Sequence, residues 1–357
     1  MDKLASLLHL TPAVFWMVAK VIIVFLGVFT LASVWTWVER RGSAMIQDRI
    51  GPNRAALFGK IRLIGLAQLL ADGIKFFFKE DLVPTDSDKK LFWLAPFLAF
   101  VPALIGFAVI PFGRSFVSGG VTYHLSVLDP GNGMGMLYPL AIGGMAVYGV
   151  LVAAWSSNNK WSILGGMRAS AAMVSYEIGM SLAVVSIFMT TGGYDPSEII
   201  STQGGTFLKL LPNWNFFHQP LGFLVFFTCM FAETNRLPFD FAEGESEIVA
   251  GFNTEYGSMK FSLLALAEYS HLMTASALVA TLYFGGWQVP FMANPPVLLS
   301  VGAFLVKMLF FAWVFVWIRW TLPRFRYDQL MHLGWKVMLP LSMANLVFHA
   351  WRMSQGH

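Results

Sequence analysis

Long apolar runs separated by short polar segments set the rhythm of this chain. Uncharged or nearly uncharged stretches fall at about 13–38, 91–111, 134–155, 169–190, 220–235, 261–284, 298–318 and 337–350. Most approach the ~20 residues an α-helix needs to cross a hydrocarbon core of about 30 Å. Two run short, and the pattern starts them earlier, among Phe216 and Phe217 for one and near Trp335 for the other. Strand-length alternation is missing, which argues against a membrane β-barrel. No repeat period stands out. The pattern predicts an all-α integral membrane protein with about eight transmembrane helices, residues 1–357 forming a single transmembrane domain. The first run is too long for a signal-peptide core and lacks an A-x-A site, so it reads as a span.

The longest charged region, 39–90, holds a further helical pattern that is too polar to span. In KIRLIGLAQLLADGIKFFFKE at 60–80, Gln68, Asp72, Lys75 and Lys79 recur on one face, and Ile61, Ile64, Leu66, Leu70, Ile74 and Phe77 occupy the rest. This is the signature of an amphipathic helix lying in the membrane interface. It either rests passively on lipid or roofs an opening for a lipid-soluble ligand, for which Phe76, Phe77 and Phe78 are suited. The pattern alone leaves both readings open. Upstream, Gly51-Pro52-Asn53 marks a turn.

Composition agrees with the pattern: 56% of the chain is hydrophobic and only 12% charged. The segments following spans 1, 3, 5 and 7, with their flanking helix ends, carry 18 of the 24 Lys and Arg, including Arg40, Arg41, Arg49, Arg54, Lys60, Arg62, Arg319, Arg324 and Arg326. The positive-inside rule then puts these loops, including 39–90 and 231–260, in the cytoplasm and both termini on the periplasmic side of a bacterial inner membrane. The basic balance follows from topology and calls for no nucleic acid. A single cysteine, Cys229, excludes an iron–sulfur cluster, a cysteine zinc site or a disulfide within the chain. There is no P-loop, no dinucleotide fingerprint and no metal-binding pattern. His271 and His349, isolated on different spans, read as structural residues rather than haem ligands.

Against this background, residues 231–256 stand out. They hold six of the twenty acids, Glu233, Asp240, Glu243, Glu245, Glu247 and Glu255, with Arg236 as the lone base. Interleaved Leu237, Phe239, Phe241 and Ile248 mark the loop as partly buried. The spacing lets Glu233 pair with Arg236 on one helical face. At i, i+4, Glu243 and Glu247 would repel, which favours proton sharing or an arginine from another loop. Glu177, Glu268 and Lys307 sit within apolar runs, and Glu39 marks the end of the first. Each such charge costs about 2.5–3.5 kcal/mol to insert, so these groups face the bundle interior. Any one of them could be a structural ion pair. Several deep carboxylates feeding one acid-rich loop favour a proton or cation path.

ERRGSAMIQDRIGPNR at 39–54, LADGIKFFFKED at 70–81, WSSNNKWSILGGMRASAAMVSYE at 155–177, AETNRLPFDFAEGESEIVAGFNTEY at 232–256, AEY at 267–269 and WIRWTLPRFRYDQLMHLGWK at 317–336 carry a resemblance over most of the chain. The chain resembles the quinone-site membrane subunits of proton-pumping NADH:quinone oxidoreductase, respiratory complex I, in their bacterial form. The resemblance implies a subunit at the junction of the redox and membrane arms. Quinone is then the substrate, and FMN and iron–sulfur clusters belong to partner subunits alone. It implies that Glu39, Arg40, Asp72, Arg236 and Asp240 line or support a quinone chamber. Proton coupling falls to Glu177, Glu233, Glu243, Glu245, Glu247, Glu255, Glu268 and Lys307. The partners implied are other membrane subunits and the peripheral iron–sulfur and quinone-site subunits, with lipid around them. Ala172 stands where the family usually has glutamine and Trp161 where tyrosine is usual. Two other functions remain: the related subunit of a membrane-bound hydrogenase, or an autonomous ion transporter, whose internal inverted repeats are not evident here.

Overall fold

The computed structural model describes residues 12–56, 63–118, 121–128, 131, 133–207, 211–292 and 295–355. Lys60, Arg62 and the first residues of the interfacial helix pattern lie outside them. The described chain is built from helices with two small hairpins. In order, α1 (Pro12–Ile46), α2 (Ala67–Phe78), α3 (Lys89–Ile105), α4 (Leu137–Ser156), α5 (Lys160–Thr191) and α6 (Pro196–Thr202) lead to a single turn, α7 (Asn215–His218). They continue through α8 (Pro220–Glu233), α9 (Glu245–Ile248), α10 (Ser258–Tyr283), α11 (Val297–Thr321), α12 (Tyr327–Leu333) and α13 (Leu339–Ser354). The hairpins pair Phe116–Ser118 with Val121–Tyr123 and Thr206–Phe207 with Leu211–Pro212.

Among the described residues, six helices are long and apolar enough to cross a membrane: α1, α3 with the turn that extends it, α4, α5, α10 and α11. The other two expected spans are shorter helices, α8 with 14 residues and α13 with 16. Their boundaries depart from the hydropathy pattern. Phe216 and Phe217 belong to α7, and Gln219 breaks the path before Pro220 opens α8. Trp335 lies in a π-helical turn, Gly334–Met338, that joins α12 to α13, so helical structure begins at Tyr327.

Local chemistry sets the ends. Asp88 caps α3 by accepting from the amides of Lys90 and Leu91, Asn159 caps α5 through Trp161 N, and Asp195 precedes Pro196 at the start of α6. Small residues set the packing. A Cβ on Gly149 would lie 2.5 Å from Ala99 N, so α3 and α4 touch backbone to backbone. Helix α10 runs through the centre, against α3, α11 and α1. Phe223, Phe227, Phe231, Phe284, Phe311 and Phe315 interlock between α8, α10 and α11. Two-thirds (67%) of the apolar window of α10 is buried, against 17% in α1. Helix α1 therefore lies at the edge of the bundle. Helix α2 packs on α1 and α10, with Leu70, Ile74, Phe77 and Phe78 exposed, as an interfacial helix requires.

Candidate functional site

Helix α8 ends at Glu233, and the chain then turns through Asn235 in a left-handed conformation (φ 49°). That turn carries Arg236 away from Glu233 and into the bundle, where it is 1% exposed. Arg236 Nη1 donates to Glu39 Oε2 at 2.8 Å. Its Nε lies 2.9 Å from Glu268 Oε1, within ion-pair distance but without the alignment of a hydrogen bond. Arg319 of α11 closes the cage, 2.7 Å from Glu39 Oε1 and 3.4 Å from Glu268 Oε1. The Tyr269 ring lies 4.6 Å from the Arg236 guanidinium carbon. Two arginines thus face two glutamates, contributed by α1, α10, α11 and the acidic loop. The expected Glu233–Arg236 pair does not form, because the chain leaves helical geometry between them.

The loop beyond Arg236 is folded back on the bundle. Gly251 adopts φ 54°, and a Cβ there would fall 1.7 Å from Ala242 O. Ser162 Oγ of α5 donates to Gly251 O. Asp240 accepts from Arg324 at 2.9 Å and from the Glu243 amide at 3.3 Å. Burial raises the Asp240 carboxyl above its ordinary value, and the charges of Arg324 and Arg319 offset this only in part. Glu243 accepts from Asn253 Nδ2 at 2.7 Å. Burial pushes it to about 8, with the Glu268 and Asp240 charges acting in the same direction. Glu247 is taken by Arg168 of α5, so the repulsion expected between Glu243 and Glu247 is relieved by an arginine from elsewhere.

The Glu243 shift has a consequence for stability. The folded loop retains a proton that the unfolded chain releases above its ordinary 4.5, so the contribution is complete below 4.5 and is lost as pH rises toward about 8. Amide protection in the 240–256 loop should decline across that window in hydrogen exchange corrected for intrinsic rates. Glu243→Gln should flatten the decline. A slope unchanged in the variant would rule out Glu243 as its source.

A cavity of about 60 Å3, room for a few waters, lies below the loop, with Glu243, Glu268, Glu233, Asn253, Asn235 and His271 in its wall. Glu233 and His271 also border a void of about 20 Å3 on the far side. They are 3.9 Å apart, and neither carboxylate oxygen of Glu233 has a hydrogen-bond partner among the described residues. Gly143 and Gly144 of α4 make space for two carboxylates. A Cβ on Gly143 would sit 3.4 Å from Glu233 Oε1, and one on Gly144 2.5 Å from Glu177 Oε1. Glu233 and Glu177 therefore meet the same two-residue gap.

At the lipid edge, Arg40 of α1 pairs with Asp72 of α2, which also accepts from Gln68 at 2.9 Å. Burial would raise the Asp72 carboxyl, but the hydrogen bonds from Arg40 and Gln68 hold it below its ordinary value. Other expected residues lie apart. Glu255 accepts from Asn159 at 2.6 Å. Glu245 opens α9, with its side chain outside the described residues. Lys307 meets no carboxylate among the described residues. Its ammonium instead donates to the carbonyls of Phe284, Gly286 and Gln288 at 2.7, 2.9 and 2.7 Å, capping the far end of α10. A long-stemmed cation on one helix satisfies carbonyls at the C-cap of another and in the turn that follows it, which hydropathy cannot reveal. Composition pointed to Arg319 and Arg324 only as topology markers, and to His271 only as a structural histidine. Among the described residues no cluster suited to a metal ion occurs.

Residues 19–350 match the family described as NADH dehydrogenase. The chain is 44% identical to an NADH-quinone oxidoreductase subunit of Cytophaga hutchinsonii, over 91% of its length and 94% of that protein. It is 45% identical to the like-named subunit of Leptospira biflexa, covering 92% of both chains. With the corresponding protein of Bdellovibrio bacteriovorus the identity is 40%, over 93% of this chain and 94% of that one.

Proposed function

The chain belongs to the NADH dehydrogenase family, and from that premise we propose that it serves an NADH-quinone oxidoreductase as a multi-pass membrane subunit that shapes the quinone site and couples quinone reduction to proton movement. The observation that carries this reading is the cage of Arg236, Arg319, Glu39 and Glu268 set against Glu243 and a water-sized cavity that reaches Glu233, with Glu177 next along α4 at Gly144. Quinone reduction needs protons and changes charge. A buried array of this kind responds strongly to a nearby charge because the effective dielectric is low. The exposed face of α2 and the Arg40–Asp72 pair support an entrance from lipid at the edge of α1. Flavin and iron–sulfur chemistry would then come from partner subunits, delivering electrons to a quinone whose surroundings this chain helps to build. Both termini would face the periplasm.

Carboxylates at the cavity act as stepping points in this reading. Glu243 receives the change at the loop, Glu268 and Glu233 flank the water-sized space, and Glu177 carries the path toward neighbouring membrane subunits. Glu247, Glu255 and Glu245 contribute negative potential from the loop. Lys307, anchored on carbonyls, contributes a fixed charge.

A quinone analogue bearing a photoreactive group, used with the intact complex, should label residues 39–80 and 236–247. Labelling confined to other subunits under turnover would remove the chamber from this chain and favour a homologous role without quinone. Gly144→Ala tests the path. Its Cβ would displace the Glu177 carboxylate, at a folding cost of about 1 kcal/mol for the altered rotamer. Proton translocation should fall disproportionately to quinone reduction; an unchanged ratio would sink the Glu177 step. Topology can be read with introduced cysteines, because the native Cys229 is buried.

A further inference from the structure

At the end of the bundle opposite the acidic loop lies a second polar cavity, of about 320 Å3, that the proposed redox function leaves unused. Its wall includes Arg352 and His349 of α13, His218 of α7, Asn213, and Thr190 and Thr191 at the end of α5. No carboxylate lines it among the described residues. His349 is 2% exposed and its Nδ1 has no hydrogen-bond partner there. Arg352 is exposed and forms no salt bridge among the described residues. Burial and the nearby Arg352 charge both hold His218 below its ordinary range. His218 is bonded to Asn213 at 2.7 Å, and no carboxylate among the described residues lining the cavity faces the Arg352 guanidinium or the open nitrogen of His349.

The faces of α13 say where such an anion would come from. Asn345, His349 and Arg352 follow one another at i, i+4 and i+7 on the inward side, with Asn345 bonded to Ser186 of α5 at 2.9 Å. Met343, Val347, Phe348 and Trp351 are exposed on the outward side. An apolar stripe ending in tryptophan suits acyl chains and the headgroup boundary, and arginine is suited to phosphate. We propose that this cavity is a binding site for the phosphate of an anionic phospholipid, whose chains lie along the exposed face of α13.

The test uses the intact complex in nanodiscs of phosphatidylcholine doped with phosphatidylglycerol that carries a photoreactive acyl chain. Crosslinks should concentrate on residues 343–353, and Arg352→Gln should weaken occupancy about tenfold, the loss of one charge-assisted hydrogen bond. Arg352→Lys should restore part of it. Because Arg352 is exposed, the glutamine variant should assemble normally, which subunit recovery checks. Equal labelling by a photoreactive phosphatidylcholine would reduce the site to ordinary lipid contact and overturn the proposal. Displacement of the probe by inorganic phosphate, with no lipid phosphorus retained after detergent washing, would reassign the cavity to a free anion. A carboxylate of a partner subunit crosslinking to Arg352 in the native complex would also overturn it. None of these outcomes touches quinone reduction, so this proposal and the redox function fail or stand separately.

Discussion

Replacing Arg236 by alanine is expected to cost the subunit about 3–5 kcal/mol, because it strands buried carboxylates rather than merely deleting a contact. Glu39 and Glu268 would be left with Arg319 as their single shared cation, in a space where Glu39 is 4% exposed. Against a typical domain stability of about 5–15 kcal/mol, that loss should deplete the assembled complex in membranes. Thermal unfolding of purified complex and subunit yield would both report it. Arg236→Lys should rescue poorly, since an ammonium lacks the planar fork that faces Glu39 and Glu268 together. Arg236→Ala combined with Glu268→Gln should recover part of the stability by removing one stranded charge. Wild-type melting in the alanine variant would show that the cage contributes nothing to folding.

Gly251→Ala should be nearly as severe, by a different cause. The left-handed backbone costs a residue with a Cβ about 1–2 kcal/mol, and the new methyl would collide with Ala242 O at 1.7 Å. Backbone on both sides must give way, so Asn253 would be drawn from Glu243 and Ser162 from Gly251. Limited proteolysis should open the 240–256 loop, and quinone reductase activity of the complex should drop with it. Gly257→Ala is the matched control: its φ is −131° and a Cβ would meet nothing within 4 Å. Equal behaviour of the two variants would argue against a seated loop.

The helices were legible because a bilayer demands about twenty apolar residues and leaves little room for ambiguity. Boundaries were not. Phe216 and Phe217 are as apolar as the span they precede, yet Gln219 turns the chain because its side chain bonds to Ser186 and Thr190 of α5. Such a partner is invisible along one stretch of sequence. Within the site, the buried acids could be singled out one at a time, since each charge in an apolar run needs a reason. Their partners could not. Arg236 is three residues from Glu233 but reaches Glu39 and Glu268, which are distant in the chain, because one left-handed residue, Asn235, redirects it. Lys307 looked equivalent to the acids by depth, and only the carbonyls at the C-cap of α10 and in the turn that follows it explain its placement.

Helix α1 behaves mechanically as a rod fastened to the side of the bundle. Its 35 residues span about 52 Å at 1.5 Å each, and only 17% of its apolar window is buried. Near one end Glu39 bolts the rod to Arg236 and Arg319, while Phe29–Phe100 and Trp16–Tyr123 offer ring contacts further along. Neutralising Glu39 would slacken that bolt, and a small tilt there becomes a wide swing at the opposite tip. Lateral stiffness of α1 against the surrounding lipid would therefore depend in part on the charge of one carboxylate, with the ring contacts and the packing on α10 and α11 supplying the rest.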